Sequence, residues 1–250
     1  DYIGLKPRLL VGEGDTVGVG APLFFHKDSP DVMVVSPVAG RVRAVTRGAR
    51  RVLISVVIDI DDAAAEPVDL SDVGDLGETS GLVERLCASG LWTSFSTRPY
   101  SKVPAPASRP AALFVPATDT EPLAADPAII IRDNGEAFEK GLEAIKTLSE
   151  GNTYLCCETG AEIPGLTMSG VEVAGFSGPH PAGLAGTHIH FLDAPSAEKT
   201  IWSIGYQDVI AIGKLLETGH YDPSRVIALS GPRCSRPRLV RTVAGASMEE

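Results

Sequence analysis

Three histidines in one glycine- and proline-rich stretch are the side chains whose types and spacing could do chemistry. They are His180, His188 and His190, within residues 176–192. Imidazole can bind a metal ion, transfer a proton or form hydrogen bonds near neutral pH. Residues 187–191 are strand-like in composition, and a strand would place His188 and His190 on one face. Because no carboxylate or cysteine stands at ligand spacing beside them, hydrogen-bonding or structural histidines are favoured over a metal site.

The four cysteines, Cys87, Cys156, Cys157 and Cys234, form no known reactive motif. Cys156 and Cys157 are adjacent in an apolar segment, which favours buried, inert thiols over a redox pair. The absence of C-x-x-C excludes a zinc knuckle and a four-cysteine iron–sulfur site, and few irregular cysteines favour a reducing cytosolic setting. No nucleophile elbow occurs, and Ser177 has no indicated partner. The sequence therefore predicts no catalytic residue and no metal ligand.

Glycine-rich nucleotide motifs are also missing. Neither G-x-G-x-x-G after a predicted strand nor a P-loop sequence occurs. Residues 183–186 read Gly-Leu-Ala-Gly, but we expect this loop to lead into a strand. Without a helix N-terminus the loop would not hold a pyrophosphate, so a bound dinucleotide is not predicted.

The net charge of the chain bears on whether its main partner is a nucleic acid. The 250 residues include 22 basic and 32 acidic ones, for a net charge of −10, which argues against nucleic acid as the main partner. No apolar run reaches ~18 residues, so a membrane link would come through partner proteins. One basic cluster is predicted to be an exposed hairpin face, or else a docking patch for an acidic partner or a membrane surface. It consists of Arg41, Arg43, Arg47, Arg50 and Arg51.

The elements that position these side chains divide the chain into a β part and an α/β part. Residues 1–60 alternate short apolar runs with glycine turns, which indicates a small barrel or sandwich. Its Gly-Asp-x-Val-x-x-Gly-x-x-Leu outline, at residues 14–23, resembles the barrel-sandwich hybrid of biotinyl and lipoyl domains. Lys27 would then lie at a hairpin tip, as a plain solvated lysine or, less in keeping with its neighbours, as a modified carrier lysine.

From residue 111 strands and helices alternate, which predicts a three-layer α/β domain with a largely parallel sheet. A helix that Ser80 can cap comes before it and runs to about Gly90, with Leu82, Val83 and Leu86 facing inward. Within the α/β part, Asn134 is expected to cap a helix over residues 136–149. The other predicted elements are a helix over 206–216 and strands over 112–115, 153–157, 170–175, 200–204 and 225–229.

Three segments together resemble the A subunit of the sodium-translocating NADH:quinone oxidoreductase. The first is Asp-Tyr-Ile-Gly-Leu-Lys-Pro at residues 1–7. The second is Arg-Pro-Tyr-Ser-Lys-Val-Pro at 98–104. The third is the histidine-bearing segment over 177–191, followed by Tyr-Gln-Asp-Val-Ile-Ala-Ile-Gly at 206–213. The resemblance covers nearly the whole chain, and we expect the chain to be a fragment of such a subunit.

The resemblance implies a fold and a domain plan. It implies a partial barrel-sandwich hybrid, N-terminally truncated, over residues 1–66, and a linker with a helix over 67–108. A Rossmann-like α/β domain, similar to the NADH-binding subunit of complex I, would occupy 109–230. Residues 231–250 would begin a β-grasp domain of the SLBB type.

The resemblance also implies a function. The subunit would be peripheral, on the cytoplasmic face of a bacterial inner membrane, in a complex that oxidises NADH, reduces ubiquinone or menaquinone and exports Na⁺. FAD, FMN and an iron–sulfur centre would belong to partner subunits, with no cofactor on this chain. Phe176, Pro179, His180 and His188 are the candidate quinone contacts, because a quinone needs an apolar slot with a few hydrogen-bonding groups. The alternative is a purely structural or assembly subunit with the quinone site elsewhere.

Overall fold

The structure is a computed structural model that describes residues 3–196 and 198–247. Its residues separate into two compact units. The first unit takes the described residues up to Thr93, together with 218–223 and 243–247. The second unit takes residues 94–217 and 224–242.

Two three-stranded antiparallel sheets form the β part of the first unit, as the alternating pattern predicts. One sheet has the order β1-β3-β4 and the other β2-β5-β6. Val17, Leu23 and Val42 form the buried centre of their core. The six strands are β1 (Pro7–Leu9), β2 (Thr16–Val17), β3 (Pro22–His26), β4 (Ser29–Val35), β5 (Gly40–Arg47) and β6 (Leu53–Ile60).

Both predicted hairpins of this unit are present. Lys27 lies exposed in the turn between β3 and β4. The turn between β5 and β6 contains a 3₁₀ turn at Ala49–Arg51, and all five arginines of the basic cluster are exposed. Arg50 and Arg51 have φ values of 54° and 61°, a left-handed conformation that costs energy for residues other than glycine.

Helix α1 (Thr79–Ala88) buries Leu82, Val83 and Leu86, the apolar face that the sequence predicts. Its N-cap is Glu78 rather than Ser80, and no side chain caps it. Arg85 on the same helix is buried because its guanidinium donates to the backbone carbonyls of residues 71, 73 and 74.

A five-stranded sheet with the order β10-β9-β8-β11-β7 is the centre of the second unit. The strands β8 to β11 pair in parallel and β7 is antiparallel at one edge, so the predicted, largely parallel sheet is confirmed. The strands are β7 (Ser96–Arg98), β8 (Ala112–Ala117), β9 (Thr153–Glu158), β10 (Val171–Phe176) and β11 (Ile201–Ser203). The helices are α2 (Pro127–Asp133), α3 (Gly135–Ile145), α4 (Ala185–Leu192) and α5 (Tyr206–Thr218).

Two smaller elements complete the second unit. β12 (Ser224–Leu229) and β13 (Arg238–Val243) pair in a two-stranded sheet. The β-grasp domain expected from residue 231 stays a prediction.

The predicted strand over residues 187–191 is wrong, because these residues lie in helix α4. His188 and Ile189 are both buried, as neighbours on one helix face can be, whereas neighbours in a strand point to opposite sides. Ile189 packs on Ala112 and Phe114, so α4 covers the apolar face of the sheet. At ~100° per residue, His188 and His190 lie on different faces of this helix. It follows that the glycine loop at 183–186 leads into a helix, contrary to the sequence-based expectation.

Two local predictions around α3 need correction. Asn134 precedes α3, but its side chain donates to the carbonyl of Ile130 instead of capping the helix. α3 ends at Ile145 and continues as a 3₁₀ turn to Leu148. Helix α2 was not predicted, although Asp126 accepts from the Ala128 N–H and Pro127 follows it, a typical N-terminal pattern.

None of the helices in the described part of the chain is both long and apolar enough to cross a lipid bilayer.

Candidate functional site

The carboxyl ends of β8, β9, β10 and β11 meet along one edge of the sheet, because these strands are parallel. The connections that follow them are therefore neighbours, and ligands of open α/β sheets bind at this edge. The chain runs outward from β8 through β9 to β10 and then returns to β11 on the other side of β8. The strand order thus reverses between β8 and β11.

The histidine-bearing loop follows β10 at this edge and is fixed to the loop that follows β8. The Gly183 N–H donates to Thr120 Oγ1 over 2.8 Å. A Cβ on Gly183 would lie 2.6 Å from the Thr120 nitrogen, so this close approach of the two backbones requires glycine. Thr187 Oγ1 in turn donates to the Pro181 carbonyl over 2.8 Å, which ties the loop to the first turn of α4.

His188 is fully buried, and one of its ring nitrogens lacks a partner. Its Nε2 lies 2.9 Å from the Ala182 carbonyl oxygen. Since a carbonyl oxygen only accepts, Nε2 carries the proton and Nδ1 of the neutral ring is an acceptor. Nδ1 has no hydrogen-bond partner among the described residues. Burial lowers the pKa of His188, against a smaller opposing effect of the Ala182 carbonyl, and so favours this neutral form.

Phe176, the last residue of β10, packs against the His188 ring. Their ring centroids are 4.2 Å apart, with an angle of 38° between the ring planes. Phe176 is half-buried and also packs on the core of the sheet. The sequence-predicted residues Phe176 and His188 are therefore in direct contact.

The other two predicted contacts lie on the surface of the loop. Pro179 and His180 are exposed. His180 Nδ1 lies 3.4 Å from Thr120 Oγ1. His190 stands apart on the outer face of α4, where its ring meets the edge of Phe191. The three histidines thus do not converge, and the described residues contain no group of three His, Cys, Asp or Glu side chains arranged to hold a metal ion.

Sequence reasoning did not single out Tyr206, which begins α5 beside the point where the strand order reverses. It is half-buried, and burial is the largest cause of its raised pKa, with the charges of Asp119 and Asp126 acting in the same direction. Asp119 and Asp126 belong to the connection that follows β8. Only the strand order brings the two carboxylates within electrostatic range of Tyr206, so no local pattern in the sequence could have identified this arrangement.

Two family models match the chain. One, described as the NqrA second alpha/beta domain, matches residues 78–221, which is more than half of the chain. The other, described as the NqrA N-terminal barrel-sandwich hybrid domain, matches residues 1–61. The chain belongs to the NqrA family. The resemblance drawn from the three sequence segments is therefore confirmed, as is a barrel-sandwich hybrid followed by an α/β domain.

Curated relatives in the NqrA family align with the whole chain. A protein of Rhodopirellula baltica, named as the A subunit of Na(+)-translocating NADH-quinone reductase, is 48% identical over 254 residues. Proteins of the same name are 49% identical over 255 residues in Pseudomonas aeruginosa and 48% identical over 252 residues in Pasteurella multocida. Each alignment covers 100% of this chain and 56% of the relative. The chain therefore spans a little over half the length of these relatives.

In this member of the NqrA family the adjacent thiols are buried, as predicted. Cys156 and Cys157 are 0% and 4% exposed. Burial raises the pKa of Cys156 to about 12 and also raises the pKa of Cys157. Because the thiolate is the reactive form, both thiols are inert near neutral pH.

The lowered pKa of His188 predicts that the stability of this NqrA family member depends on pH. Folding lowers the pKa of the His188 imidazole. Below about pH 6.5 this imidazole is therefore protonated more readily in the unfolded chain than in the folded protein. The stabilisation is thus present above about pH 6.5 and is lost as the pH falls. We expect His188→Gln, which keeps a donor for Ala182 but does not titrate, to lose less stability than the wild type between about pH 8 and pH 5.

Urea unfolding at the two pH values measures this difference. His190→Gln is the control, because His190 is exposed and its replacement should leave the wild-type pH dependence unchanged. An identical pH dependence in the wild type and His188→Gln would contradict the prediction.

Proposed function

We propose that this chain is part of a peripheral subunit on the cytoplasmic face of a bacterial sodium-pumping NADH:quinone reductase. The shared name of the relatives supports this role. The proposed complex passes electrons from NADH to ubiquinone or menaquinone and exports Na⁺. FAD, FMN and the iron–sulfur centre belong to its other subunits, and this chain contributes to quinone binding without a redox centre of its own.

The position of half-buried Phe176, at the carboxyl end of the parallel strands and followed by an exposed loop, is the observation that carries the quinone proposal. A quinone ring can stack on an aromatic side chain, an arrangement that between two aromatic side chains contributes about 0.5–1.5 kcal/mol beyond the area buried. Pro179 and His180 are exposed in the loop that follows Phe176. In this proposal the proline extends the apolar surface and the imidazole forms a hydrogen bond with a quinone oxygen.

His188 acts differently in this proposal, as a positioning residue. It is fully buried, so it does not meet the ligand directly. Its ring packs against the ring of Phe176, and its Nε2–H donates to the Ala182 carbonyl in the loop. The fixed loop presents His180 beside Thr120, within 3.4 Å of its hydroxyl oxygen.

The α/β domain is proposed to be Rossmann-like and related to the NADH-binding subunit of complex I. The parallel strands with helical connections and the reversal of strand order between β8 and β11 support this relation. The boundaries at residues 66, 108 and 230 remain part of the proposal.

Photo-crosslinking of an azido-ubiquinone to the purified complex, mapped by peptide mass spectrometry, tests the quinone role. We expect label on peptides from residues 98–138 or 176–192, and excess quinone should compete it away. His180→Ala should weaken quinone binding about fivefold, because one hydrogen bond contributes roughly 1 kcal/mol. His190→Ala is the matched control and should bind as the wild type does, because His190 lies on the outer face of α4.

The alternative is a structural or assembly subunit, which the burial of His188 within the fold favours. Label confined to the membrane subunits, with unchanged affinity in His180→Ala, would establish this alternative. Phe176→Ala and His188→Ala would then reduce assembly of the complex while quinone binding stayed unchanged.

A further inference from the structure

A long groove in the first unit lies beside β6 and opens between the two small sheets. Its volume is about 1510 Å³, larger than the pockets of roughly 300–1,000 Å³ that hold small molecules. Leu23 and Phe24 line it from one sheet, and the whole of β6 lines it from the other. Residues 243–247 of the same unit line a further part of it. The groove is therefore large enough to hold a polypeptide segment.

The apolar face of β6 along this groove is incompletely covered. Val56 and Ile58, at the centre of the strand, pack on the buried core of the unit. Ile54 and Ile60, near its two ends, are 65% and 66% exposed. Ile54 lies at a register shift in the β5–β6 pairing, and its side chain packs beside Gly48 of the same hairpin. Isoleucine side chains are among those most often buried in folded proteins, so both ends of β6 carry apolar surface that a further segment could cover.

β6 is also an edge strand. It pairs with β5 on one side, and within residues 3–196 and 198–247 no strand pairs with its other side. An edge strand presents unpaired N–H and C=O groups, which are a template for a further strand. A strand added there would lie in the groove and would cover Ile54 and Ile60.

The charges around the groove specify the chemistry of the added strand. Asp59 is the acidic residue that lines the groove, and it is paired with Arg43. The other cationic groups on the lining include five with no carboxylate partner in the described part of the chain. They are Arg8, Lys27, Arg47, Arg50 and Arg51.

We propose that β6 is completed by one more strand, supplied by the part of the full-length protein that lies outside these 250 residues. The alignments leave 44% of each relative unmatched, which is ample chain for one strand. The added strand has apolar side chains toward the sheets and acidic side chains toward the arginines. A segment of the same polypeptide meets the groove at a high effective concentration, which favours it over a partner protein or a second copy.

Hydrogen exchange of the β6 backbone tests the proposal. The full-length gene product and the 250-residue chain are compared under the same conditions. We expect the amides of Leu53–Ile60 to exchange at least about tenfold more slowly in the full-length protein, because the added strand occupies the free edge. Equal exchange in both proteins would overturn the proposal. Slow exchange that depends on partner subunits, or on dimer formation at high concentration, would overturn it in favour of those occupants.

A pair of substitutions in the full-length protein gives a second measurement that does not require the shorter chain to fold. Ile54→Asp should lower the thermal midpoint by about 5 °C or more, because the added strand buries this position. Leu76→Asp is the matched control, since Leu76 is 44% exposed in the same unit and does not line the groove. Equal midpoints for the two variants would contradict the proposed burial of Ile54.

Discussion

Gly213→Ala is expected to lower the free energy of unfolding of the second unit by about 3 kcal/mol or more. A Cβ on Gly213 in α5 would lie 1.7 Å from the carbonyl oxygen of Ala137 in α3. The contact is reciprocal, because a Cβ on Gly141 in α3 would lie 2.0 Å from the carbonyl oxygen of Val209 in α5. The clashing atoms belong to the backbone and cannot rotate away as a side chain could. An added Cβ can therefore be accommodated only if α3 and α5 move apart, which disrupts their close packing.

The comparison variant for this prediction is Gly186→Ala, which also replaces a helical glycine. Gly186 lies in α4, and a Cβ added to it would meet nothing within 4 Å, so alanine there should be neutral or stabilise by about 0.5–1 kcal/mol. Urea unfolding followed by the fluorescence of buried Trp202, in a Trp92→Phe background, reports on the second unit. Equal losses in the two variants would show that helix propensity, and not backbone contact, decides the outcome.

Arg85→Met is expected to lower the stability of the first unit by about 3 kcal/mol. Arg85 is 5% exposed, and its guanidinium donates to the carbonyls of Val73 over 2.7 Å and Ser71 over 2.6 Å. Loss of these charged donors leaves partly buried carbonyl groups without partners, which costs about 1–3 kcal/mol for each group. The segment around Gly74 is packed closely on α1, since a Cβ on Gly74 would lie 2.2 Å from the Gly81 carbonyl oxygen. We therefore expect this segment to detach from the helix.

Arg51→Met serves as the control for Arg85→Met. Arg51 is exposed in the β5–β6 turn, and substitutions at such positions change stability by about 0.5 kcal/mol or less. Hydrogen exchange of residues 69–77 should accelerate in Arg85→Met and stay unchanged in Arg51→Met. If Arg85→Met retained wild-type stability and exchange, the arginine would not be the anchor of this segment.

Features fixed by neighbouring residues were predicted well from the sequence. The period-two runs and glycine turns of residues 1–60 predicted the β part, and the apolar strands at 112–117 and 153–158 were found where expected. The periodic apolar residues of α5, with Gly219 at φ 75° after it, also sufficed to predict that helix. Family motifs, rather than any catalytic constellation, identified the chain's relatives.

Features that depend on distant partners were decided by the tertiary structure. Residues 187–191 form a helix because Ile189 covers the apolar sheet face made by Ala112 and Phe114. In this helix His188 is buried and His190 is exposed. The two histidines therefore lie on different faces, whereas a strand would have placed them on the same face.

In the candidate site, too, some features follow from the local sequence and others from the tertiary structure. The sequence by itself determined the residue types of the loop after β10, including the glycine that the contact with Thr120 requires. Only the tertiary structure decided that Phe176 packs on His188, that His180 lies near Thr120, and that the charges of Asp119 and Asp126 act on Tyr206. The physical reason is that periodicity and turn preferences act over a few residues, whereas strand order and burial depend on which distant segments pack together.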